Sequence, residues 1–190
     1  MSEVIKPTTF ADATVIRGAQ HMEEVNVTGK YVAQCFDVHG NLKWEESFDN
    51  LVTTQGKNHL LDTYLAGSSY SAKVFLGLIS STGYTAVAAG DTANSHTGWA
   101  EFSGYSQTTR RPPSFSSASS GSKATSTAAV FSISSANTVK GTFLVANSGT
   151  GSAATKGGYS GILYSAGLFT GGDKTVSSGD IINVTYTASA

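Results

Sequence analysis

Residues 108–133 read TTRRPPSFSSASSGSKATSTAAVFSI. The stretch opens on Arg110-Arg111, the only adjacent basic pair in the chain, and continues through Pro112-Pro113 into a Ser/Gly/Ala tract. It ends in an apolar alternation. If the tract is a linker, the chain is two small domains. If it is a loop, the chain is one body. Consecutive prolines hold the backbone extended, and the small residues after them allow movement.

The segments C-terminal to the tract decide between the two. TAAVFSI (127–133), TVKGTFLVA (138–146), YSGILYSAGLF (159–169) and DIINVTYTA (180–188) each carry an apolar face at period two, bounded by Gly, Ser or Asn. Together they are too short to bury a core without the strands before residue 107. The tract therefore reads as a long exposed loop within one domain.

Working back toward the N-terminus, KYVAQCFDV and LKWEESF flank HGN (39–41) as a hairpin. In LVTTQGKNHLLDTYLAG the period changes. Leu60, Leu61, Tyr64 and Leu65 share a helical face, Thr53 or Thr54 can cap its start, and Gly67 can end it. KVFLGLIS (73–80) reads as a buried strand and WAEFSGYS (99–106) as an alternating one with Trp99 inward. Residues 1–28 show no period, although Ile5, Phe10, Val15 and Ile16 are apolar, and they read as an extended arm. The expected architecture is mainly β: a single antiparallel β-sandwich, jelly-roll-like, of about eight strands over residues 29–190. One short α-helix and the N-terminal arm (1–28) complete it. Glycines inside TVKGTFLVA and GILYSAGLF mark bulges or close backbone approaches.

Composition narrows the function. Charged residues are 13% of the 190, about half the usual share. The net charge of −1 offers no basic footprint for nucleic acid. Gly, Ala, Ser and Thr make up roughly half the chain, which suits strands and turns with short side chains. Cys35, the single cysteine, excludes an intramolecular disulfide and reads as a buried, inert thiol. There is no secretory leader pattern and no apolar run of about 20 residues, so neither export nor a membrane partner is expected.

Candidate chemistry is sparse. Asp91, His96 and Glu101 in GDTANSHTGWAEF (90–102) form the one set that can be drawn as a metal or acid/base trio, but their spacing fits no ligand motif. An Asx turn at Asp91 and a backbone bond from His96 explain them better. No Gly-x-Ser-x-Gly elbow is present. GTGSAATKGG (149–158) fails as a phosphate loop, because its lysine is neither preceded by Gly nor followed by Ser or Thr and no helix follows, and reads as a flexible hairpin loop. Arg110 and Arg111 read as a solvated pair able to meet an acidic partner. The many aromatics read as core, with a sugar-binding stripe as the alternative. Neither a cofactor nor a metal is expected.

LVTTQGKNHLLDTYLAGSSYSAKVFLGLIS, followed by YTAVAAGDTANSHTGWAEFSGYS and later by VKGTFLVA and GGYSGILYSAGLFTGGDKTVSSGDIINVTYT, resembles a family of small virion-associated proteins of tailed bacteriophages. The resemblance spans roughly residues 50–188 and is sharpest in GDTANSHTGW and SGDIINVTYT, neither of which carries a known catalytic role. It implies a structural, non-enzymatic protein made in the bacterial cytoplasm and carried in the virion. The leading expectation is a head decoration or cement protein that binds the outer surface of the major capsid protein lattice, itself a homo-oligomer and most simply a trimer. Contacts are expected from the arm (Ile5, Phe10, Val15, Ile16) and from Arg110, Arg111, Pro112, Pro113 and Phe115. A neck, tail or fibre-base component, a carbohydrate-binding module for host recognition and a metal-dependent hydrolase remain as alternatives.

Overall fold

The computed structural model describes residues 26–65, 73–147 and 152–189. In chain order the strands are β1 (Thr28–Phe36), β2 (Leu42–Asp49) and β3 (Leu51–Val52), then the helix α1 (Thr54–Leu65). β4 (Val74–Ser80), β5 (Glu101–Phe102), β6 (Ser114–Phe115), β7 (Ser122–Thr127) and β8 (Ala129–Ser132) come next. β9 (Asn137–Ala146), β10 (Ile162–Leu168), β11 (Lys174–Val176) and β12 (Ile181–Ser189) complete the fold. All but the last residue of the domain expected from residue 29 onward is thus described, apart from 66–72 and 148–151. Most of the expected arm, with Ile5, Phe10, Val15 and Ile16, lies outside the described residues.

The strands form two antiparallel sheets packed face to face, a β-sandwich. One sheet runs β2-β1-β12-β7-β6, with β8 also pairing β12; the other runs β3-β10-β9-β4-β5, with β11 pairing β9. Between them lie Tyr31, Cys35, Phe48, Leu76, Leu78, Phe131, Val139, Val184 and Tyr186, all but sealed from solvent. Fully burying one such side chain contributes about 2 kcal/mol. Tyr31 stacks on Phe48 at 5.5 Å and lies 4.7 Å from Tyr186. Its hydroxyl shares a 2.7 Å hydrogen bond with that of Ser165 on the opposite sheet, so the polar tip is satisfied inside the core.

The two sheets differ, and the sequence says why. β1 alternates buried and more accessible residues, as a strand with one wet face must. β4 and β9 end in continuous buried runs, because their sheet is covered on both faces. The second cover is a set of loops that buries Ile79, Ala93, Trp99, Phe143, Val145, Ala153, Leu163 and Ala166 in a separate apolar cluster. α1 joins this layer through its first turn. Thr53 caps it, its hydroxyl accepting from the Gly56 N–H at 3.0 Å and donating to the Leu163 carbonyl. The neighbouring Gln55 side chain accepts from Leu163 and Ala93, tying the helix to β10 and to the loop after β4. Leu60, expected on the buried helical face, is 41% exposed. Gly67 lies outside the described residues.

The 108–133 stretch is neither a linker nor a free loop. Arg111 bridges Leu76 through paired backbone bonds of 2.8 and 3.0 Å, extending the edge of β4. Beyond the prolines the chain crosses to the other sheet, where β6 and β7 fold as a hairpin and β7 pairs β12. The expected exposed loop is therefore a sheet-to-sheet crossover with strands of its own. Ser and Thr hide these strands from a search for apolar alternation.

Other expectations are met in detail. The β1–β2 turn closes on Asp37, whose carboxylate accepts from the His39 and Asn41 N–H groups, with Gly40 at φ +84°. The glycines within β9 and β10 mark a close approach: a Cβ on Gly141 would stand 2.0 Å from the Gly167 carbonyl oxygen. Cys35 is buried beside the Asp180 carboxylate, and burial, reinforced by that charge, pushes its thiol up to about 12. It is an inert core thiol at neutral pH.

Candidate functional site

The loops covering the second sheet enclose an open cleft of about 400 Å³, lined among others by His96, Trp99, Glu101, Arg110, Phe143 and Tyr159. Strand register explains its floor. Glu101 pairs with Ile79 and Arg111 with Leu76 along the same edge of β4. Side chains alternate, so Phe102 and Leu76 enter the inter-sheet core while Glu101 faces the loop layer. Arg110, one residue before the bridged Arg111, meets Glu101 there.

The pair is closed on itself. The Arg110 Nε and Nη2 donate to Glu101 Oε2 at 3.1 and 2.9 Å, and both side chains are 4% exposed. Arg110 also donates to the carbonyls of Ala153 (2.9 Å) and Gly158 (2.6 Å). The Gly157 N–H and the Tyr105 hydroxyl complete the Glu101 carboxylate at 2.7 and 3.2 Å. Burial next to that carboxylate pushes the Tyr105 phenol well above its ordinary range. Arg110 is thus a buried cross-tie, not half of a solvated pair. Residues 152–158, expected as a flexible loop, are pinned by it. Arg111, Pro113 and Phe115 are half-buried and Pro112 is exposed.

Above the floor stands an aromatic column. Trp99 lies 5.2 Å from Phe143, His96 stacks on Trp99 at 4.0 Å, and Tyr159 stacks on His96 at 5.9 Å. Asp91 accepts from the Trp99 indole N–H and from the Ala88 N–H, both at 2.9 Å. His96 Nδ1 donates to the Trp99 carbonyl at 2.9 Å. Asp91 and His96 therefore hold one tryptophan from two sides, and this is the physical content of GDTANSHTGW. The histidine–backbone bond expected for this segment is present; the expected Asx turn is not, because the Asp91 carboxylate reaches back to the Ala88 N–H while the Ala93 N–H donates to Gln55. Asp91, His96 and Glu101 do not converge, and among the described residues no group of three His, Cys, Asp or Glu could hold a metal.

SGDIINVTYT is a second device of the same kind. The buried Asp180 carboxylate accepts from the Ser177 N–H at 2.7 Å and from the Lys43 ammonium, closing the turn that launches β12. The bond to Asp180 raises the Lys43 pKa.

Tyr159 went unread in the sequence. It is 66% exposed, comes after Gly157-Gly158 and precedes β10, so the strand expected from residue 159 begins only at Ile162. Trp99 is 5% exposed and Trp44 half-buried, so no row of exposed tryptophans exists among the described residues. No helix among them is long and apolar enough to cross a membrane.

No protein-family model matches the chain, and no curated protein matches it.

Proposed function

We propose that the chain is a bacteriophage virion structural protein, and specifically a head decoration protein that binds the outer surface of the major capsid lattice. The observation that carries this reading is the use to which its two most distinctive strings are put. GDTANSHTGW and SGDIINVTYT spend their charged and polar groups on holding Trp99 and Lys43 in place. Such motifs serve a rigid body rather than a reaction, which fits the virion-protein resemblance of residues 50–188. A sandwich with one sheet covered on both faces resists deformation. The apolar residues Ile5, Phe10, Val15 and Ile16 give the N-terminal segment something to bury on a neighbour.

The full chain, added to purified heads that lack it, is expected to bind saturably. Deleting residues 2–25 is expected to reduce occupancy at equal concentration. Failure of the full chain to bind contradicts the decoration role. Undiminished occupancy after deletion removes the arm from the mechanism and leaves the crossover, with Arg111, Pro112, Pro113 and Phe115, as the contact.

A further inference from the structure

We propose that the cleft beside Tyr159 binds a neutral pyranose, a sugar ring of a surface glycan. The proposal stands apart from the capsid role and does not depend on it.

Three properties of the cleft select the ligand. The first is its lip. Tyr159 is 66% exposed although Trp99, two rings away in the same column, is 5% exposed. One ring face rests toward His96 at an interplanar angle of 26°. That stacking fixes the ring and leaves flat apolar surface to solvent, a platform for the C–H face of a sugar. The second is the orientation of His96. Its Nδ1 faces a carbonyl oxygen, which only accepts, so Nδ1 carries the hydrogen. That bond occupies Nδ1 and leaves Nε2 as the ring nitrogen for a ligand hydroxyl, on a residue that lines the cleft. Asn94, Ser95, Thr97 and Ser103 add exposed, uncharged donors and acceptors around the rim.

The third is charge. The one cation and one anion in the lining, Arg110 and Glu101, neutralise each other, and both are buried. An anionic ligand finds the guanidinium already bound to Glu101, Ala153 and Gly158. A cationic ligand finds the carboxylate filled and a guanidinium 5.1 Å from the Phe143 ring beneath. The ligand that fits has one apolar face, many hydroxyls and no charge. At about 400 Å³ the cleft is at the small end for ligand sites, so it holds a short segment with the rest of the glycan outside. A single open site of this kind binds weakly. Many copies on one particle would multiply it by avidity.

The test uses the full chain, isotopically labelled, titrated with glucose, galactose, mannose and N-acetylglucosamine, with tetramethylammonium and sulfate as charged probes. At least one sugar is expected to shift the amides of residues 94–97 and 157–159 saturably, in the millimolar range. Tyr159→Ala is expected to weaken that binding roughly tenfold, as loss of a ring contact implies, and Tyr159→Phe to keep it. Val130→Ala, on the other sheet, is expected to change nothing. The proposal is overturned if no sugar shifts these amides saturably, if Tyr159→Ala binds as the native chain does, or if only a charged probe binds. None of these outcomes bears on whether the chain binds heads.

Discussion

Replacing Arg110 with alanine lowers the stability of the domain by about 3–5 kcal/mol, the usual cost of breaking a buried ion pair from one side. The substitution strands the Glu101 carboxylate, 4% exposed, without its cation. It also leaves the Ala153 and Gly158 carbonyls without their donor, and so frees the segment that carries Tyr159. For a domain of this size the loss corresponds to a fall in Tm of roughly 10 °C. Urea unfolding of the native chain and the variant measures it. The double variant Arg110→Met, Glu101→Leu is expected to recover much of the loss, because no uncompensated charge remains. Recovery stays incomplete, since the Gly157 N–H and the Tyr105 hydroxyl lose their acceptor. A solvated Arg110 would behave differently: its removal would change stability by less than about 0.5 kcal/mol.

Gly141→Ala is expected to cost about 3 kcal/mol or more, the upper range for forcing atoms into a packed interior. The added methyl would stand 2.0 Å from the Gly167 carbonyl oxygen and 2.9 Å from the Leu168 Cα, so two backbones and not a flexible side chain would have to part. β9 is the central strand of its sheet, and separating it from β10 disturbs both apolar clusters at once. Gly90→Ala is the control, because a Cβ there meets nothing within 4 Å. It is expected to leave the urea midpoint unchanged. Equal midpoints for the two variants would mean that the β9–β10 contact is looser than described.

How much of the fold and the cleft was legible in the sequence varied with the physics of each element. β1, β2, β8 and β12 have one wet face, so alternation announced them, and the apolar run of β4 announced a buried strand; β9 read as a strand with one apolar face, and that its sheet is covered on both sides needed the folded loops. A cap at Thr53 or Thr54 and a turn at 39–41 were readable; that Thr53 is the cap and that the Asp37 carboxylate closes the turn needed the structure. β6 and β7 were not readable, because Ser, Thr and Lys present no apolar face to alternate and pairing with β12 supplies the order. The Arg110–Glu101 pair was missed for a related reason. The two residues are nine positions apart and meet only because both line one edge of β4, a fact of tertiary register. Arg110 looked solvated beside Arg111, yet strand alternation sends adjacent side chains to opposite faces. The backbone contact of His96 was visible; that Asp91 joins it on Trp99 instead of closing an Asx turn needed the folded loop.

The decoration role makes a numerical demand that no other reading shares. Purified virions, resolved on a denaturing gel and stained, give the amount of this chain relative to the major capsid protein. Head decoration predicts a copy number on the scale of the capsid lattice, in proportion to its subunits. A band corresponding to a handful of copies would move the protein to the neck or tail, and its absence from mature particles would contradict a virion role altogether.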